Sequence, residues 1–180
     1  MSTLLLMGFG PFGDVLDNPA ARLVRAVDGA RVPAGLVRGV VMDVSFARCV
    51  AQTEAALAQW QPTLLLGVGV AVGRVEPQLE SVAYNDVAKG IFDVDGASPD
   101  TLEAEGPALR RSTWFAENAA SHGIGRSDDA GRYVCNAWLY RCLGLTAGRI
   151  PTAFLHLPAE GLAPARLLDL LSDELPRTRV

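Results

Sequence analysis

Residues 3–29, TLLLMGFGPFGDVLDNPAARLVRAVDG, contain a complete strand, loop and helix. The run TLLLMG (3–8) is uninterrupted and apolar, as expected of a strand buried on both faces of a parallel sheet. NPAARLVRAVDG (18–29) reads as a helix with Asn18 as N-cap, Pro19 in the first helical position and Gly29 as the stop. Between the two, Gly8, Gly10 and Gly13 match the G-x-G-x-x-G pattern of dinucleotide sites. That fingerprint requires glycines that open the helix directly, because the pyrophosphate rests on the helix's first unpaired N–H groups. Here Pro11 interrupts the loop and the helix waits until Asn18. The glycines are therefore expected to form an extended loop that displays Phe9 and Phe12. A non-catalytic or nucleotide-binding module on the same scaffold stands as the alternative reading.

The same alternation continues along the chain. GLVRGVVMDVSF (35–46) reads as a strand, ARCVAQTEAALAQW (47–60) as a helix and PTLLLGVGV (62–70) as a third strand behind a proline. A β-α-β-α-β order implies a largely parallel sheet with helices on both faces. Residues 79–87 have strand character, and 89–108 are rich in turn residues and read as an irregular excursion. A helix is expected over 108–122 and a short strand over 125–127. Residues 135–145 read as a helix ending near Gly144, 151–157 as a strand and 163–175 as a closing amphipathic helix. No repeat or linker divides residues 1–180, so one α/β domain is expected.

Size and charge narrow the function. A chain of 180 residues can bury a substantial core without disulfides or metal. With 16 basic and 20 acidic residues the formal charge is −4, which offers no field for a phosphate backbone, so nucleic acid is not an expected partner. The longest apolar run is too short to span a bilayer. The N-terminus lacks the basic flank of a secretory signal, and a cytoplasmic protein is expected. Three cysteines with no C-x-x-C fit neither a disulfide framework nor a structural zinc site, and no metal is expected.

The two histidines can be weighed one by one. His122 lies at an expected helix end, where imidazoles commonly meet terminal carbonyls. His156 lies at the carboxyl end of an apolar strand, where open α/β sheets place functional groups, although a packed core histidine would read the same. Cys135 falls in the first turn of an expected helix, where backbone N–H groups and the dipole favour a thiolate. Cys135, Leu139, Cys142 and Leu143 also form a helical apolar stripe, so a packing role stays open. Cys49 and Cys142 fit packing. Glu80 follows the second glycine run, and a glutamate there is ordinarily a solvated strand-edge carboxylate. If the sheet gathers their loops at one edge, Glu80, Cys135 and His156 make a nucleophile, a base and an orienting acid.

The blocks MGFGPFGDVLDNPA (7–20), LGVGVAVGRVEPQLESVAYN (66–85), EGPALRRSTW (105–114), DAGRYVCNAWLY (129–140) and FLHLP (154–158) together resemble pyroglutamyl peptidase I, a family of cysteine peptidases. They occur in family order from Leu4 to about Pro158. The resemblance implies a three-layer α/β/α sandwich around a mixed, largely parallel twisted sheet. It implies removal of an N-terminal pyroglutamyl residue from peptides through a thioester, without a cofactor. The family's catalytic residues fall at Glu80, Cys135 and His156. Its pocket phenylalanines fall at Phe9 and Phe12, its asparagine before proline at Asn18, and the backbone that holds the lactam at Val70 and Ala71. The chain departs from the usual pattern at Gly10, Asp43, Val70 and Gly90. The resemblance leaves a homo-oligomer open, but the segments between Cys142 and Ile150 and at the C-terminus look short for the family, so no particular assembly is carried over.

Overall fold

The computed structural model describes residues 2–114 and 116–174. Among these, seven strands form one sheet in the order β2-β3-β1-β4-β9-β5-β8. Its centre is parallel: β1 (Thr3–Phe9) lies between β3 (Gly35–Met42) and β4 (Leu64–Val70), and β4 pairs in turn with β9 (Thr152–Leu157). At one edge β2 (Arg31–Val32) forms an antiparallel hairpin with β3, which the sequence reading lacked. At the other, β5 (Gln78–Glu80) runs antiparallel to β9 and parallel to β8 (Gly125–Ser127). The sheet is therefore mixed and largely parallel, as expected.

Strand β1 shows how the layers are built. Leu4 and Leu6 face one core together with α1 (Pro19–Val27) and α4 (Pro164–Glu174). Leu5 and Met7 face the other, with α2 (Arg48–Trp60) and α3 (Val134–Thr146). The expected apolar run thus serves both faces of a three-layer sandwich. Asn18 caps α1 as expected, its Oδ1 accepting from Ala20 N at 2.9 Å. Ahead of the next helix, in a contact the sequence reading did not identify, Ser45 Oγ accepts from Arg48 N at 3.1 Å. Strand β3 accordingly stops at Met42 rather than reaching residue 46. No helix among the described residues is long and apolar enough to cross a membrane.

Gly8 of the first run serves packing. A β-carbon on Gly8 would lie 2.7 Å from Val24 and 2.8 Å from the Ala20 carbonyl oxygen, so Gly8 lets α1 rest on β1.

The helix expected over 108–122 is absent. In its place are β7 (Leu109–Arg111), a connecting loop and one 3-10 turn at Ala119–His122. Its backbone donors are drawn outward: Ser112 N bonds Ser81 O at 3.0 Å and Thr113 N bonds Thr152 O at 2.9 Å. Long-range pairing thus overrides the local helical pattern. The expected strand over 79–87 divides at Ser81, where β5 stays in the main sheet and β6 (Val82–Tyr84) leaves to form a ribbon with β7. Helix α3 runs through Gly144 to Thr146, past the expected stop. Leu175, the last residue of the expected closing helix, lies outside the described residues.

Close contact between α1 and β3 depends on Gly39, where a β-carbon would overlap the Val24 carbonyl. Gly39→Ala should lower stability by ~2 kcal/mol through overpacking. In urea this is read as a lower midpoint at unchanged slope. An unchanged midpoint would show that this contact is not tight.

Candidate active site

The carboxyl ends of parallel strands are where an open α/β sheet exposes its functional groups, and three candidate residues lie at such ends. Phe9 ends β1, Val70 ends β4, and His156 is the penultimate residue of β9. His156 pairs across the sheet with Gly69 and Gln78.

The alternation of β4 decides what can stand over this edge. Leu64, Leu66 and Val68 point into the α1–α4 core, so Gly67 and Gly69 face α3. A β-carbon on Gly67 would overlap Trp138 and Phe154. One on Gly69 would lie 2.8 Å from Phe154 Cζ and 3.0 Å from Cys135 Sγ. The thiol therefore lies almost on bare backbone, beside the strand position that carries His156. Gly67 and Gly69 thus have a steric purpose.

Cys135 is half-buried in the first turn of α3. Tyr133 supplies the N-cap in an extended conformation, and the first intrahelical bond runs from Ala137 N to Tyr133 O at 3.0 Å. The N–H groups of Val134, Cys135 and Asn136 precede it, at the positive end of the helix. Asn136 anchors this turn: its side chain accepts from Tyr84 N at 2.7 Å and donates to Tyr84 O at 2.8 Å. Burial pushes the Cys135 thiol well above the usual cysteine range; Cys49 and Glu80 add to the rise, while its own backbone N–H and Arg74 oppose it. All three cysteines are free thiols. Burial pushes Cys49 up to about 12 and holds Cys142 well above the usual cysteine range, in keeping with packing roles.

Glu80 reaches the same place from the opposite strand direction. Because β5 runs antiparallel to β9, Gln78 pairs with His156 and Glu80 with Phe154. The Glu80 side chain is fully enclosed, and its Oε1 lies 2.6 Å from His156 Nδ1. The same oxygen lies 2.7 Å from Arg74 Nη2. Glu80 is thus a buried, doubly partnered carboxylate and not a solvated edge residue. The Phe154 ring meets the imidazole edge-on with centroids 4.8 Å apart.

Beside Cys135 opens a narrow cavity of about 40 Å³ with mostly apolar walls. Phe9, Phe12, Asn18 and Val70 line it, together with Val44 and Tyr133, which the sequence reading did not select. Asn18 contributes by tethering: its Nδ2 donates to Gly10 O at 2.8 Å while its Oδ1 caps α1, so the Phe12 loop is tied to the helix. Ala71 does not line the cavity. Its N–H donates to Leu157 O and its O accepts from Arg74 N, both at 2.9 Å. Among the residues the sequence reading missed, Arg74 had a signal: it is a basic side chain just upstream of the candidate carboxylate. Gly69 and Phe154 had none beyond their strand positions. His122 sits away from this edge, 3.1 Å from Asp173.

A chemically capable arrangement on a known fold invites comparison with known proteins. Residues 2–161 match the family model described as pyroglutamyl peptidase. The pyrrolidone-carboxylate peptidase of Cupriavidus taiwanensis is 35% identical over 170 residues, covering 88% of this chain and 79% of that protein. That of Halalkalibacterium halodurans is 33% identical, covering 87% and 83%. The crystal structure of Bacillus amyloliquefaciens pyroglutamyl peptidase I superposes with a TM-score of 0.85 at 26% identity, over 96% of this chain and 94% of that one. Matched by that family model over residues 2–161 and by these relatives, the chain belongs to the pyroglutamyl peptidase family.

Proposed function

We propose that Cys135, His156 and Glu80 are the reacting set with which the chain carries out its family's reaction, the removal of an N-terminal pyroglutamyl residue from peptides. The observation that carries this reading is the buried contact of 2.6 Å between Glu80 and His156, beside the strand position over which Cys135 Sγ lies. With Glu80 ionised, imidazole Nδ1–H donates to the carboxylate and Nε2 is left as the proton acceptor.

Burial keeps the resting thiol protonated, so the base must act as attack begins. The Sγ proton passes to His156 while Sγ bonds to the carbonyl that joins pyroglutamate to the next residue. The tetrahedral oxyanion is met by N–H groups of the first turn of α3. His156 then gives its proton to the departing amine, which leaves a thioester. A water molecule deprotonated by His156 attacks the thioester, releases pyroglutamate and restores the thiol. The scheme calls for no cofactor.

The cavity suits the lactam. The ring is flat and uncharged, so apolar walls from Phe9, Phe12 and Val44 accept it, and Val70 offers backbone partners. Open-chain glutamate would carry charges that this cavity leaves unpaired, and so it is rejected. Three free thiols suit a reducing compartment, and we assign the activity to the cytoplasm.

Reduced protein should release amine from a pyroglutamyl anilide and lose this activity on treatment with iodoacetamide. Cys135→Ser should lower kcat/KM by at least ~10³-fold, whereas Cys49→Ser and Cys142→Ser stay within about 3-fold. Absence of release from folded, reduced protein would refute the reading. The raised thiol adds a pH test. Deprotonating Cys135 without His156 requires alkaline conditions, so in His156→Ala the alkylation rate at Cys135, followed by peptide mapping, should be slow at neutral pH and climb throughout the alkaline range. A pH-independent rate in that variant would contradict the role given to the base.

A further inference from the structure

Two nitrogens meet one oxygen of Glu80: His156 Nδ1 at 2.6 Å and Arg74 Nη2 at 2.7 Å. The Glu80 side chain is fully enclosed, and its Oε2 has no protein hydrogen-bond partner among the described residues. An ionised carboxylate in such a place is strongly disfavoured unless a counter-charge touches it. The imidazole is neutral for part of the reaction cycle and cannot be that counter-charge throughout. Arg74 is positive at all times.

Arg74 is also held independently of the carboxylate. Its backbone N bonds Ala71 O at 2.9 Å as the chain turns out of β4. Its Nη1 donates to Gln78 Oε1, and its Nη2 also lies 3.1 Å from Ser127 Oγ and 2.8 Å from Asp129 O. The guanidinium is thus anchored to β5, to the end of β8 and to the segment leading into α3. With its side chain 18% exposed against 0% for Glu80, it closes the pair off from solvent.

We propose that Arg74 is a positioning residue that holds Glu80 as the carboxylate and thereby fixes His156 in the tautomer protonated on Nδ1. The inference rests on the roles proposed above for Glu80 and His156. A neutral carboxyl group would reverse the hydrogen bond: its O–H would donate to Nδ1, and the ring proton would move to Nε2. The imidazole would then present a donor to the thiol and could not take its proton. The charged or titratable groups around Glu80 are Arg74 from the β4–β5 turn, His156 from β9 and Cys135 from α3. With Arg74 present, these four groups sum to zero charge both before proton transfer, as thiol and imidazole, and after it, as thiolate and imidazolium. Without Arg74 the buried set carries a net negative charge in both states.

The chain has two histidines, so nitrogen-15 NMR of histidine-labelled protein resolves each ring. In the unsubstituted protein, neutral His156 should be protonated on Nδ1. Arg74→Gln should move the proton to Nε2, and Arg74→Lys should keep it on Nδ1. With a pyroglutamyl anilide, Arg74→Gln should lower kcat by ~10²-fold and leave KM within about 3-fold, and Arg74→Lys should recover most of the loss. In a Glu80→Gln background, Arg74→Gln should cost nothing more. An unchanged tautomer in Arg74→Gln, or a loss confined to KM, would overturn the proposal. Should Arg74→Gln not fold, a folded Arg74→Lys with its proton on Nε2 would overturn it equally. Failure of the unsubstituted protein to turn over would count against the peptidase reading, while the tautomer measurement would still decide the role of Arg74.

Discussion

Strand β4 shows α3 no side chains at Gly67 and Gly69, and the architecture of the site depends on that bareness. Overpacking of even one methyl group is resisted in a close-packed interior. With glycine at both positions, Trp138 and Phe154 settle directly on the sheet, and α3 approaches far enough to bring Cys135 Sγ over Gly69. The same approach is locked from the far side, where Trp138 Nε1 donates to Thr53 Oγ1 at 2.8 Å and so couples α3 to α2. The Cys135 thiol is positioned by a helix packed on a strand, and its place relative to the His156 imidazole is inherited from the spacing of β4 and β9. A thiol on a loop would not have this precision.

The sheet's change of direction does comparable work for the carboxylate. Were β5 parallel to β9, its carboxyl end would project with the other strand ends, and Glu80 would be free to solvate. Running antiparallel, β5 leads Glu80 inward to the level of Phe154, under the imidazole. The chain then turns away at Ser81, whose Oγ and N–H both bond Ser127 O. Burial there makes a stable charge expensive, and the Arg74 guanidinium offsets that cost across 2.7 Å.

Much of this was legible in the sequence because it is local. Strand β1, helix α1 with its Asn18 cap and strand β9 follow from apolar periodicity and capping chemistry, which act over a few residues. Cys135 and His156 stood out because a helix start and a strand end are chemically special places. What was not legible is non-local. The helical pattern over 108–122 lost to pairing with Val82–Tyr84 and to bonds from Thr113 to Thr152, which no window of neighbours contains. The packing role of the glycines was hidden for the same reason, since their partners, Val24 for Gly8 and Cys135 for Gly69, are remote in sequence. Arg74 could be noticed as a charge, but that it shares one oxygen with His156 is visible only once β5 and β9 are aligned.

The departures from the family pattern take on physical meaning at the cavity wall. Gly90 adopts φ of +75°, a conformation in which L side chains are strained, and space is open around its α-carbon. The segment that follows is fastened by a carboxylate instead. Asp93 Oδ2 accepts from Phe46 N at 2.7 Å, and its Oδ1 accepts from Asp95 N and Ala97 N at 2.9 and 2.8 Å. Val94 N bonds Val44 O at 3.2 Å, and the Tyr133 hydroxyl donates to Phe92 O at 3.0 Å. Val44 and Tyr133 are themselves cavity walls, so these bonds tie the outer segment to the surface a lactam would touch. Asp43 is likewise engaged, accepting from Gln52 at 2.9 Å and pairing with Arg48 at 3.2 Å, which steadies the passage from β3 to α2. The wall of the cavity is therefore braced by backbone donors gathered on Asp93.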